Sequence, residues 1–318
     1  REGKMRISRQ FAHRHAAGWR AALALVLATI LTMPSIAAAQ SANISSNPIA
    51  GDRADLAAWK AQDFLTDTPD RTVLVLASMM TSADPFLRDE IGFTGLSAIL
   101  RRGDVSEPVL LELIDLFTDR LSAPDPDGVV RPFAVLGLSE VARVDRVTPF
   151  LDDAKFDSLA TTGTTFLAGV EDYRGYDPAV GWRHNVPHAA DLMLQLALNP
   201  RTSTAQLDRM ASVLTTQVAP AEPYIHGEPQ RLARALLFIA RHENGASIDW
   251  SALFTKMMAD YTMRTGDGGP QGATMLERLA LEHNLRVFLL EIYASAVSSK
   301  DDRLEPLGTA ALEQLAKF

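Results

Sequence analysis

The sequence predicts an all-α fold of stacked antiparallel helical hairpins, either α-solenoid-like (HEAT-like) or a closed α/α array. Three observations carry this expectation. From Asp52 onward, apolar residues recur every three or four positions rather than every two, the spacing of one helical face. Similar helix endings recur at Leu96-Ser97-Ala98-Ile99, Leu138-Ser139-Glu140-Val141, Leu194-Gln195-Leu196-Ala197 and Leu237-Phe238-Ile239-Ala240. Their successive intervals are 42, 56 and 43 residues, which is the period of helical-hairpin repeats with one insertion. The linkers between the periodic segments are short and turn-rich, so no break into independent domains is expected.

The first element is an address. Lys4, Arg6, Arg9, Arg14 and Arg20 precede the apolar run Ala21–Thr32, and Ala37-x-Ala39 supplies small residues for cleavage. The run is shorter than the ~20 residues that span a bilayer. Residues 1–39 therefore read as a cleaved signal peptide, with Met5 as the start, and localisation is expected to be periplasmic or extracellular. Residues 40–51, polar and small, read as a flexible leader, and 52–318 as one helical domain.

The helices follow in pairs. First members are expected near 85–101, 130–145, 184–198, 228–243 and 273–298, and second members near 107–121, 154–170, 203–217, 248–263 and 303–317. Within 108–121, Leu110, Leu113, Ile114, Phe117 and Leu121 share one face. Asp84-Pro85, Ser106-Glu107-Pro108 and Ser203-Thr204 mark helix starts by a capping side chain or a proline in the first turn. Val73–Leu76 is the one strand-like run, and it continues as a helix would. Asp125-Pro126-Asp127-Gly128 and the glycine-rich 266–272 read as turns, the first lacking the later ligands of a calcium loop and the second having no strand before it.

Composition removes whole classes of function. The chain has 318 residues and no cysteine, which excludes disulfides, thiolate metal sites and a cysteine nucleophile. Its formal charge is −8; residues 1–39 hold six of the 31 basic and one of the 39 acidic residues, so the remainder carries −13. Such a surface repels nucleic acid and anionic lipid, and no membrane span is expected once the signal peptide is removed.

The insertion at 171–183 and the helix after it hold the least generic residues. Asp172, Arg174, Trp182, His184, His188 and Asp191 crowd into about twenty positions. His184, His188 and Asp191 stand at i, i+4 and i+7, within about 60° on a helix, so they could converge on a divalent metal such as zinc. Pro187 complicates that geometry, because proline fits only the first turn and pushes Val186 out of the helical region. The helix could then start near Val186 and leave His184 outside it. A second cluster holds His226, Glu228 and Arg231, where His226 or Glu228, with Asp172, could supply a further ligand or a base. The alternative for both clusters is a structural polar network of caps and ion pairs. In stacked hairpins, equivalent helix starts line up, so Arg88, Arg131, His184 and Glu228 are expected along one edge, as a polar ridge or as a buried ladder.

Asp84-Pro85-x-Leu87-Arg88-Asp89-Glu90, Arg131-x-Phe133, Asp172-x-Arg174-Gly175-Tyr176 and Gly181-Trp182-x-His184-x3-His188-x2-Asp191-Leu192 together resemble the bacterial family called domain of unknown function 2785. The resemblance runs in order from about Asp84 to Ala240 and implies an all-helical domain without implying an activity. Two functions remain in view. One is an exported helical-repeat binding or scaffold module, contacting a protein partner or a small ligand through Arg88, Arg131, Arg174, Trp182, His226 and Arg231. The other is a metal-assisted hydrolase using Asp172, His184, His188, Asp191 and Glu228.

Overall fold

The structure is a computed structural model that describes residues 51–265 and 274–318, with side chains described to residue 263 in the first stretch. The stretch expected as a signal peptide (1–39), nearly all of the expected leader and the glycine-rich stretch 266–272 expected as a turn lie outside the described residues. Among the described residues there are twelve α-helices and one short β-hairpin, so the all-α expectation holds. No described helix is long and apolar enough to cross a membrane.

The helices are α1 (Arg53–Ala61), α2 (Pro69–Met79), α3 (Thr94–Arg102), α4 (Glu107–Leu121), α5 (Val130–Val147), α6 (Asp153–Ala168), α7 (Asn185–Ala197), α8 (Thr204–Thr216), α9 (Glu228–Arg241), α10 (Trp250–Thr265), α11 (Met275–Ser298) and α12 (Glu305–Leu315). Some of their starts are set by side chains. Asp52, Ser203 and Thr274 each close a reciprocal capping box with the residue three positions on. The segment expected as one helix at 85–101 begins instead as a π-helical turn, Phe86–Phe93, before tightening into α3. Gly92 belongs to this turn, and a Cβ there would meet the Met80 amide and the Leu76 carbonyl of α2 at 3.0 and 3.1 Å.

Burial joins the helices in two rows. In one, α5 packs between α3 and α7, and α9 between α7 and α11; in the other, α8 packs between α6 and α10, and α10 against α12. Val135, Leu138 and Val141 of α5, Leu192 and Leu196 of α7, and Leu232, Leu236 and Ile239 of α9 are sealed between neighbours. One apolar cluster runs from Leu56 of α1 to Ala311 of α12. The expected last pair, α11 with α12, is packed closely, but α6 lies against α7 more closely than against its expected mate α5. Thr148 ends α5 in an extended conformation, and Asp145 holds the amides of Phe150 and Leu151, so the chain leaves α5 before α6 begins.

Asp145 is also the polar anchor of that end of the stack. It is wholly buried, accepts those two amides, and receives Asn199 Nδ2 at 3.0 Å and Arg201 Nη2 at 2.6 Å. Removing one member of a buried charged network leaves the others uncompensated and costs about 3–5 kcal/mol. Asp145→Ala is therefore expected to lower the unfolding free energy by roughly that amount in urea titrations, while the exposed Asp153→Ala should stay within about 0.5 kcal/mol.

Candidate functional site

The insertion forms a minimal antiparallel hairpin. Strand β1 (Tyr176–Asp177) pairs with β2 (Gly181–Trp182), with Tyr176 opposite Trp182 and Asp177 opposite Gly181. The turn is closed by Asp177, whose carboxylate accepts the amides of Ala179 and Val180. Opposed residues share a face, so the rings of Tyr176 and Trp182 stand together, 5.0 Å between centroids, and they remain 50% and 36% exposed.

Two strand residues cannot hold a hairpin alone, and the body of the protein supplies the rest. Arg88, entirely buried, donates from Nη2 to the Val180 carbonyl at 2.6 Å and from Nη1 to the Ser82 carbonyl at 3.1 Å. Its Nε lies 2.8 Å from Asp89, and its guanidinium stacks over Phe133 at 4.9 Å. Arg183 donates to the Asp127 carbonyl, and Asn185 to the Asp172 carbonyl. Gly181 makes the fit possible. Its φ is +80°, and a Cβ would stand 2.8 Å from Arg88 Nη2 and 2.9 Å from Pro85 Cβ. On the other limb, a Cβ at Gly175 would strike the ring of His226.

Beneath the hairpin the helix starts do line up. Phe133 lies edge-on to His188 at 5.3 Å, His188 to His184 at 5.6 Å, and His184 to His226 at 6.1 Å, while the His226 amide donates to Glu228 at 2.8 Å. With Arg88 at one end and Glu228 at the other, this is a ladder with most members buried rather than an open ridge. Arg131 stands outside it. Its Nε donates to the Ala123 carbonyl, and it lines a separate cleft of about 320 Å³ with Asp125, Glu171, Asp172 and Asn185. Arg174 grips Asp172 through two hydrogen bonds of 2.7 and 2.6 Å. Burial opposes ionisation of Asp172, but these bonds outweigh it and hold its pKa below the usual carboxylate value.

The metal triad expected at His184, His188 and Asp191 is not assembled. The helix α7 starts at Asn185, with Pro187 tolerated in the first turn and His184 as the residue before it. Asp191 pairs with Arg231 of α9, and His188 commits Nδ1 to the Pro132 carbonyl at 3.0 Å. Among the described residues no group of three His, Asp or Glu side chains is placed to hold a metal ion. Burial holds the pKa of Asp191 up despite Arg231.

His184 is the strained member. Its φ of +25° is rare outside glycine and costs of order 1–3 kcal/mol. Its ring stacks on Trp182 at 4.1 Å, and its Nε2 is buried without a hydrogen-bond partner. Burial, reinforced by Arg231 and His226, pushes its pKa down to about 4. Burial likewise brings His188 to about 3, with His184, Arg231 and Arg88 adding to the effect against the opposing Pro132 bond. Both imidazoles are neutral at pH 7.

Several participants are not marked by any site motif of the sequence. Pro132 looks like an ordinary core residue and Arg183 and Asn185 look like loop residues until the hairpin is formed, while Phe133 and Tyr176 stand out only through the family resemblance. Asp177-Pro178, a turn-initiating pair, was the available clue to that hairpin.

An all-helical body carrying one hairpin over a ladder of helix starts defines the class of protein. Residues 117–290 match the family model described as protein of unknown function (DUF2785), and the chain belongs to that family. The motifs around Arg131, Asp172 and Trp182 fall inside the matched stretch, and Asp84–Glu90 precedes it. No curated protein and no solved structure matches the chain.

An unfolded chain takes up the His184 and His188 protons near pH 6.5, whereas the folded chain takes them up only near 4 and 3. Stability is therefore lost as pH falls from about 6.5 to about 4, by on the order of 3 kcal/mol for each histidine. Urea titrations at pH 7 and pH 4.5 should show this loss, and His188→Asn should remove its share of the difference between the two pH values. Separately, Arg88→Gln should speed amide hydrogen exchange across 175–183 by roughly tenfold or more, since a charged hydrogen bond contributes about 1.5–3 kcal/mol.

Proposed function

We propose that this chain is an exported helical binding or scaffold module that takes a ligand or partner on the outer face of its hairpin. The observation that carries this reading is the exposed Tyr176–Trp182 pair, held in place by a fully buried arginine. Exposed aromatic residues on a rigid mount are what binding hot spots use, because little conformational freedom is lost on contact. Two buried tryptophans, Trp59 and Trp250, show the ordinary fate of this residue here. Export is supported by the basic, apolar and small-residue order of the first 39 positions. The hydrolase alternative is less well supported, since Asp191 and His188 Nδ1 are committed to Arg231 and to Pro132.

The test combines location with contact. Expressed with its leader in a bacterial host, the protein should be recovered outside the cytoplasm, beginning at Gln40. Photo-crosslinking from position 179, in the hairpin turn, should then give adducts that weaken by roughly tenfold in Tyr176→Ala/Trp182→Ala. Recovery only in the cytoplasm would defeat the export half, and adducts indifferent to the double substitution would defeat the binding half.

A further inference from the structure

Most charged side chains of the hairpin limbs are paired within the fold: Asp172 holds Arg174 and Asp177 lies 3.9 Å from Arg183, while on α7 and α9 Asp191 holds Arg231. Asp125 and Asp127 stand close enough to act on Arg174, and Glu171 joins Asp125 and Arg131 in the neighbouring cleft. The aromatic face thus has a rim rich in hydrogen-bonding groups and acidic on balance. An anionic ligand would be repelled by such a rim and would lose its hydration. The exposed apolar side chains are few, Tyr176 and Trp182 with Ile225 nearby in sequence to His226. They fall well short of the ~800 Å² per partner of a standard protein interface.

Trp182 lies against His184 on one side and has the half-buried His226 edge-on at 5.7 Å. The Nε2 of His184, on a residue more than nine-tenths buried, is a hydrogen-bonding position that the chain does not fill. Aromatic rings carry a negative face, which attracts the slightly positive C–H groups on the flat side of a pyranose. Hydroxyls are both donors and acceptors, so they can pair with an imidazole, a carboxylate or a guanidinium without bringing charge.

From this combination we propose, building on the binding reading above, that the Tyr176–Trp182 face is a site for a neutral saccharide. A sugar ring stacks on the indole with Tyr176 alongside. Its hydroxyls meet His226, which lies edge-on to Trp182 at 5.7 Å.

The exported chain should be titrated with cellohexaose, chitohexaose and xylohexaose, with polygalacturonate as an acidic comparison, and followed by tryptophan fluorescence and calorimetry. Trp59 and Trp250 are buried, so the fluorescence response reports mainly on Trp182. At least one neutral oligosaccharide should give a saturable change with a Kd of about 1 mM or tighter. Trp182→Ala should weaken it by roughly tenfold or more, while Trp182→Phe, which keeps a ring, should retain most of it. The proposal is overturned if no neutral saccharide binds at about 10 mM, if polygalacturonate binds more tightly than all of them, or if Trp182→Ala binds as well as the parent. Failure of every saccharide while the crosslinks persist and remain sensitive to Trp182 would remove the saccharide alone. Loss of both would remove the binding reading as well.

Discussion

The guanidinium of Arg88 is the contact on which the rest of the site depends. It is fully buried, and such a charge is tolerated only when it is answered. Here the carbonyls of Ser82 and Val180, the carboxylate of Asp89 and the ring of Phe133 do this together. Each belongs to a different part of the chain: the loop before the π-helical turn, the hairpin, the turn itself and the start of α5. One side chain thus joins segments about ninety residues apart, and its 2.6 Å bond to the Val180 carbonyl ties the aromatic face to the helical body.

The imidazoles extend the same logic without charge. Burial beside Arg88 and Arg231 keeps His184 and His188 unprotonated, so the space under the hairpin holds neutral rings rather than a stack of cations. This reconciles several basic residues in a small volume with a stable fold. The acid Glu228 closes the far end of the ladder at the start of α9, where the helix dipole favours an acceptor.

Much of the scaffold was legible in the sequence, because helix periodicity and caps are local signals. The expected 107–121 is α4, and the expected starts near 130, 154, 203 and 228 lie within two residues of the observed ones. The exceptions have tertiary causes. The π-helical turn before α3 lies against α2 at Gly92, and no local pattern marks that approach. The hairpin has strands too short to alternate. The metal triad failed because spacing along α7 cannot reveal that Arg231, on another helix, lies beside Asp191. The alignment of helix starts was legible as an edge, but Arg131 left it for Ala123, a choice made by the local turn.

The anchor at Val180 has an evolutionary corollary. Arg88 grasps a main-chain oxygen, and Asp177 caps main-chain amides, so the mount is indifferent to which side chains the tip of the turn displays. Pro178 and Ala179 are solvent-facing and Val180 only partly covered. Those three positions can drift while the loop keeps its posture, so relatives sharing Arg88 and Gly181 could diverge in what they recognise without redesigning the helices underneath.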